Sequence, residues 1–148
     1  DLGELSTKHP DNQSIRLALA QLHEQNGDSE IALEIINQLA ETLDNPPEVS
    51  LLQADLLNKI GQSAEALKVL QSAVKAYPDN EDLRFRLGRA LVSREDFEGA
   101  SKQFAAIVEL SPDNYDMVYS LALINLEMNH LREAQTHLEA LVAAVQIP

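Results

Sequence analysis

Apolar residues recur along this chain at helical spacing, and short polar turns interrupt them at near-regular intervals. Leu83, Leu87 and Leu91 stand every fourth residue, which places them on one face of a helix. After a polar break ending in Asp96, a second stripe follows at Phe97, Ala100, Phe104, Ile107 and Val108. It again reads as one helix face, with Asp96 positioned to cap its start. Pro112 stops that helix, and Asn114 is positioned to cap the next. Each predicted helix is about 12–14 residues long, or three to four turns.

This two-helix pattern repeats. Ala32, Ala66, Ala100 and Ala134 are each 34 residues apart, and Pro-Asp-Asn occurs at Pro10–Asn12, Pro78–Asn80 and Pro112–Asn114. Where a further copy falls due, Asp44-Asn45-Pro46-Pro47 supplies a shuffled turn of similar composition. Other columns hold the same offset. Ala20, Ala54, Gly88 and Ala122 are all small; Ile36, Leu70, Phe104 and Leu138 are all large and apolar; Leu39, Ala73, Ile107 and Leu141 are apolar. Gly27 and Gly61 share a column that continues as Glu95 and Asn129. Small residues in two columns let the paired helices approach closely. A period in this range marks a repeat architecture in which each unit buries its apolar face against its neighbours.

These residues resemble the tetratricopeptide repeat family. In the third unit the resemblance is carried by Leu87-Gly88, Leu91, Phe97, Ala100, Phe104 and Pro112, and in the second by Ala54, Gly61, Ala66, Ala73 and Pro78. The chain departs from the family pattern early in the first helix, where Arg16, Ser50, Arg84 and Val118 replace a large aromatic. It departs again later in that helix, where His23, Leu57, Leu91 and Asn125 replace a Tyr. The resemblance implies an all-α fold: an α-solenoid of tandem antiparallel helix pairs in 34-residue repeats, winding into a right-handed superhelix. It divides a single domain, 1–148, into the tail of a truncated repeat at 1–12 and repeats at 13–46, 47–80, 81–114 and 115–148. Leu2 and Leu5, 34 residues before Ile36 and Leu39, mark the tail. With no solvating helix after Pro148, the chain is expected to be a piece of a longer array.

Charge and chemistry narrow the function. Eleven Lys and Arg face 24 Asp and Glu, a net charge of −13. Such a chain is repelled by phosphate backbones and anionic membranes, which argues against nucleic acid as a partner. No run of about 18 apolar residues exists to insert into a membrane. The absence of Cys excludes disulfides and thiolate metal sites. The five glycines are isolated, so no phosphate loop is present, and neither a Gly-x-Ser-x-Gly elbow nor a His-Glu-x-x-His pair occurs. His130 and His137 read as solvated surface, His23 as a packing residue, and Glu30, Glu34, Glu41, Glu65 and Glu133 as solvated charge. No catalytic residue, metal ligand or cofactor is expected, and the chain reads as a non-enzyme.

Function is then expected on the concave face, which the family lines with the first helix of each pair. Those positions are Leu17, Gln21 and Glu24; Leu51, Asp55 and Asn58; Phe85, Arg86, Arg89 and Val92; and Tyr119, Leu123 and Leu126. The expected partner-binding set is Leu51, Asp55, Phe85, Arg86, Arg89, Val92, Tyr119, Leu123 and Leu126. Such a groove suits a peptide or an amphipathic helix of a partner protein. Leu17, Leu51, Phe85 and Tyr119 serve either as partner anchors or as packing between helices, the Tyr119 hydroxyl favouring a wet edge. Arg84, Arg86, Arg89 and Arg94 form a basic island, with Arg84 and Arg94 expected nearer the rim or a helix end, while Arg86 and Arg89 either meet an acidic partner segment or pair internally with Asp55, Glu48, Asp82 or Asp116. The family's clamp for terminal carboxylates of chaperone tails is not matched, because Leu17, Gln21, Leu52, Asp82 and Arg86 stand there and only Arg86 is compatible. Uncovered Leu138, Leu141, Val142 and Val145 point to self-association through the terminal helix. The reading is a non-catalytic interaction scaffold. Its rivals are a recruiting or regulatory arm of a larger enzyme and an architectural part of a bacterial envelope complex, the latter by analogy of the acidic, Cys-free, Pro-Asp-Asn-punctuated sequence.

Overall fold

A computed structural model describes residues 13–42 and 45–146. Among the described residues there are eight α-helices and no strand: α1 (Gln13–Gln25), α2 (Ser29–Thr42), α3 (Pro47–Lys59), α4 (Ser63–Ala76), α5 (Glu81–Ser93), α6 (Phe97–Leu110), α7 (Tyr115–Glu127) and α8 (Leu131–Gln146). The chain divides into two compact units, Asp1–Tyr77 and Pro78–Pro148. The first holds α1–α4 and the second α5–α8, and in each the helices pack as successive hairpins. The tail expected at 1–12 lies outside the described residues.

The turn inside every hairpin has one construction. Gly27, Gly61, Glu95 and Asn129 adopt the left-handed region, with φ of 87, 84, 60 and 60°. In the third hairpin the Glu95 N–H donates to the Val92 carbonyl at 2.9 Å and the Asp96 N–H to the Leu91 carbonyl at 2.9 Å. The equivalent pair of bonds recurs after α1, α3 and α7. It gives partners to carbonyls that a helix end otherwise leaves bare. Glycine adopts this conformation without a Cβ clash, whereas Glu95 carries one. Glu95→Gly is therefore expected to stabilise the protein by about 0.5–1 kcal/mol, net of the extra entropy glycine brings to the unfolded chain. An unmoved urea midpoint for this variant would show that the Glu95 side chain compensates its own backbone strain.

Helix starts are set by side chains. The Asn80 carboxamide accepts from the Leu83 N–H at 2.9 Å, Asp96 from the Gly99 N–H at 2.9 Å, and Asn114 from the Met117 N–H at 3.3 Å. Each such cap contributes about 1 kcal/mol. The shuffled turn before α3 works differently. Pro47 opens the helix with no side-chain cap, its ring already holding a helical φ.

Packing follows the small columns. Ala32, Ala66, Ala100 and Ala134 are 0, 1, 0 and 1% exposed, and Ala20, Ala54, Gly88 and Ala122 are buried as well. In the first unit Ala20, Ala32, Ile36, Leu39, Val49 and Leu56 form the core, with Leu17 and Leu52 packed against it. In the second unit Leu83, Leu87, Phe104, Ile107 and Leu121 are buried. The α5–α6 approach is tight: a Cβ added at Gly88 would lie 2.4 Å from a Phe104 ring carbon. No described helix is long and apolar enough to cross a membrane.

Candidate functional site

In the first unit, Leu51 and Asp55 on α3 are both half-buried, and Asp55 is engaged within the protein. Leu17 belongs to the packing around the core. Polar contacts tie the end of α1 down: Lys59 Nζ lies 3.5 Å from Glu24 Oε1, and His23 Nδ1 lies 3.6 Å from Asp28 Oδ2. His23 is half-buried at the end of α1. Glu30, Glu34, Glu41 and Glu65 are exposed, as their positions in the repeat imply.

In the second unit the two first helices present unlike surfaces. On α5, the Phe85 ring stands 6.3 Å from that of Phe104 at a tilt of 37°, while the Arg89 guanidinium lies 5.7 Å from the Phe85 centroid. Phe85 is therefore held between the core and a cation. Val92 is half-buried beyond it, and Arg86 is half-buried with an interaction of its own. Arg84 leaves the basic island for a structural task. Its Nε donates to the Pro78 carbonyl at 2.6 Å and its Nη1 to Gln103 Oε1 at 2.9 Å, fastening the turn before α5 to α6. Arg94 sits at the end of α5 and is exposed.

On α7 one row of apolar residues is bare. Tyr119, Leu123 and Leu126 are 51, 42 and 44% exposed, and Tyr115 joins them at 51%. The four stand at i, i+4, i+8 and i+11, a single stripe along the helix. Met117, Val118, Leu121, Ala122 and Ile124 cover the other side of α7 and are buried. A helix that is apolar all round is ordinarily enclosed on all sides; here one side remains open. Tyr115 was absent from the residues expected at the site, although its spacing from Tyr119 was the signal for it. Acidic side chains flank this region, with Asp116, Glu127, Glu133 and Glu139 set against Arg132 between residues 115 and 148.

The terminal helix continues the apolar surface. On α8, Leu131, Val142 and Val145 are 59, 55 and 81% exposed, while Leu138 and Leu141 are half-buried. His130 is exposed and His137 half-buried. Among the described residues no group of three or more His, Asp and Glu side chains is placed to hold a metal ion.

Models of the tetratricopeptide repeat match residues 1–56, 51–115 and 85–131. Tetratricopeptide repeat protein 37 of Xenopus laevis is 30% identical over 110 residues, 73% of this chain and 7% of that protein. Superkiller complex protein 3 of Homo sapiens is 30% identical over 84 residues, 57% of this chain and 5% of that protein. The chain thus spans a small fraction of the length of these relatives. Among solved structures, MamA 41-end from Desulfovibrio magneticus RS-1 matches with a TM-score of 0.77 at 21% identity, over 99% of this chain and 84% of that one. A tetratricopeptide repeat protein from Parabacteroides merdae matches with a TM-score of 0.80 at 15% identity, over 97% of this chain and 57% of that one.

Proposed function

The chain belongs to the tetratricopeptide repeat family, and we propose that it is a non-catalytic scaffold that binds a peptide or helix of a partner protein through the first-helix positions of its repeats. The observation that carries this reading is the bare stripe on α7, where Tyr119, Leu123 and Leu126 are 51, 42 and 44% exposed on a helix whose other side is already buried. Exposed apolar residues in a contiguous row mark an interaction surface more often than isolated ones do. Covering the exposed part of each of these side chains contributes about 1 kcal/mol, since full burial of a large apolar side chain contributes roughly 1.5–3 kcal/mol. Arg89, stacked on Phe85, and its neighbour Arg86 add a cationic edge suited to a carboxylate of the partner. Val92 belongs to the same set in the second unit at a half-buried position, and Leu51 and Asp55 hold the equivalent places of Phe85 and Arg89 in the first unit. The net charge of −13 supports a protein partner over a nucleic acid.

Tyr119→Ser combined with Leu123→Ser tests the proposal, because both residues are exposed and their loss leaves the core intact. Binding of a partner captured by the chain and then purified is expected to weaken by at least about tenfold, with the melting temperature unchanged. Arg86→Ala with Arg89→Ala is expected to weaken binding most at low salt, where charge contacts are least screened. A partner bound equally well by both double variants would remove the first-helix positions from the interface.

A further inference from the structure

We propose that Asn26–Gly27, in the turn of the first hairpin, is a site of spontaneous covalent modification: the Gly27 nitrogen attacks the Asn26 carboxamide, and the isoaspartate that results dismantles the turn. The site lies apart from the first-helix surface and does not rest on partner binding.

The structure sets Asn26 apart from the other asparagines. The side chains of Asn80 and Asn114 cap helices at 2.9 and 3.3 Å. Asn37 accepts from Gln53 Nε2 at 2.7 Å, and Asn45 is followed by Pro46, which has no N–H. Asn125 is buried, and Asn12 lies outside the described residues. Asn58 and Asn129 are exposed, but the residues after them are shielded. Lys59 is held within α3, and the His130 N–H donates to the Asn125 carbonyl at 2.7 Å. Asn26 alone precedes a glycine. Its side chain makes no hydrogen bond among the described residues, so the carboxamide is free to turn toward the next nitrogen. Asn26 and Gly27 are both exposed, and a Cβ built on Gly27 would have nothing within 4 Å. A five-membered ring spanning the two residues therefore has room.

The reaction needs only water. Hydroxide takes the Gly27 N–H proton, and the nitrogen bonds to Asn26 Cγ. The Cγ–Nδ2 bond breaks, ammonia leaves, and a succinimide closes. Water then opens the ring on either side. Cleavage between Cγ and the Gly27 nitrogen gives aspartate. Cleavage of the original peptide bond gives isoaspartate, whose main chain runs through Cγ and is one atom longer. The native turn opposes the first step, because the Gly27 N–H donates to the Glu24 carbonyl at 3.1 Å. The side chains around that turn hold it weakly. Asp28 is 3.6 Å from His23 and Lys59 is 3.5 Å from Glu24, with Asp28 and Lys59 each 51% exposed. Contacts of this kind contribute little, so the turn opens and reacts while the helices stay folded. In the product the added atom shifts Gly27 and Asp28 away from the Glu24 and His23 carbonyls, which accept from them at 3.1 and 2.8 Å. Ile60, Arg94 and Met128 hold the place of Asn26 in the other hairpins and carry no carboxamide, so their turns are immune.

Ageing the whole chain at mildly alkaline pH tests the proposal, with fragment-ion mass spectrometry to locate the products and an isoaspartyl methyltransferase to count isoaspartate. Conversion at Asn26 is expected to be at least about tenfold faster than at Asn58 or Asn129. It is expected to quicken in urea, and to vanish in Asn26→Gln, whose longer side chain cannot close the five-membered ring. The isoaspartyl chain, separated by chromatography, is expected to exchange the Asp28 amide at least about tenfold faster than the fresh chain. Asn26→Asp, which adds the charge without the main-chain atom, is expected to exchange it as the fresh chain does. Conversion confined to the urea-unfolded chain overturns the proposal, as does conversion at Asn58 or Asn129 that matches Asn26. Unchanged Asp28 exchange in the isoaspartyl chain overturns it too, because the turn would then have absorbed the added atom.

Discussion

Gly88→Ala is expected to destabilise the second unit by roughly 2 kcal/mol, and Phe104→Leu in the same molecule to recover most of that loss. The new Cβ would stand 2.4 Å from Phe104 Cε1 and 2.9 Å from Cδ1 and Cζ, so the ring has to move. It has little room to do so. Phe104 is 4% exposed and its ring faces Phe85 at 6.3 Å, with Arg89 in turn over Phe85. Overpacking of this kind costs about 1–3 kcal/mol, and a clash this close belongs at the upper end. Against it, replacing a mid-helix glycine by alanine recovers about 1 kcal/mol of helix propensity. The clash wins by roughly 2 kcal/mol. The other repeats show the compensation: Ala20 accompanies Ile36, Ala54 accompanies Leu70 and Ala122 accompanies Leu138, while the glycine accompanies the one aromatic. A double-mutant cycle measured by urea unfolding is expected to give a coupling energy of about 2 kcal/mol between positions 88 and 104. Additive effects would mean that the ring relaxes freely. Because Phe104 supports Phe85, Gly88→Ala is also expected to displace the Arg89 guanidinium.

Most of the fold was legible because the interior of a repeat is local. Each helix buries one face against helices close by in sequence, so the spacing of Leu83, Leu87 and Leu91, or of Ala32, Ala66, Ala100 and Ala134, already carries the packing. Caps were legible for the same reason, since Asp96 and Asn114 act on backbone only three residues away. Two things were not. The column of Gly27, Gly61, Glu95 and Asn129 concealed a shared left-handed turn, because Glu95 has no preference for that conformation and adopts it only where the hairpin imposes it. The candidate site was also unresolved at the level of single residues. Phe85 and Tyr119 occupy one column, yet Phe85 packs on Phe104 while Tyr119 is 51% exposed. What separates them is the residue across the hairpin, an aromatic that reaches Phe85 in one repeat and Leu138 in the other. Column membership does not encode that distance.

Ile107→Ala is expected to cost about 2–5 kcal/mol and Leu141→Ala, 34 residues later in the same column, about 1 kcal/mol. By sequence alone the two substitutions look alike, each removing a large aliphatic side chain from a second helix of the second unit. Their surroundings differ. Ile107 is 1% exposed, so its truncation leaves a closed cavity whose lining loses contacts on every side. Leu141 is half-buried and lines the open 380 Å³ depression, so water or a neighbouring side chain takes the place of the lost atoms. In a repeat protein the stability of each unit is set by its neighbours, and a helix packed on one side only has fewer interactions to lose. Urea unfolding followed by circular dichroism, together with amide exchange along α6 and α8, separates the cases. Exchange in α6 is expected to accelerate strongly in Ile107→Ala, while α8 is already the faster-exchanging helix in the parent and changes little in Leu141→Ala. Equal losses of stability would mean that something covers Leu141 in solution as completely as α6 and its neighbours cover Ile107. The concentration dependence of the Leu141→Ala effect would then separate cover by a second copy, which weakens on dilution, from cover within the chain, which does not.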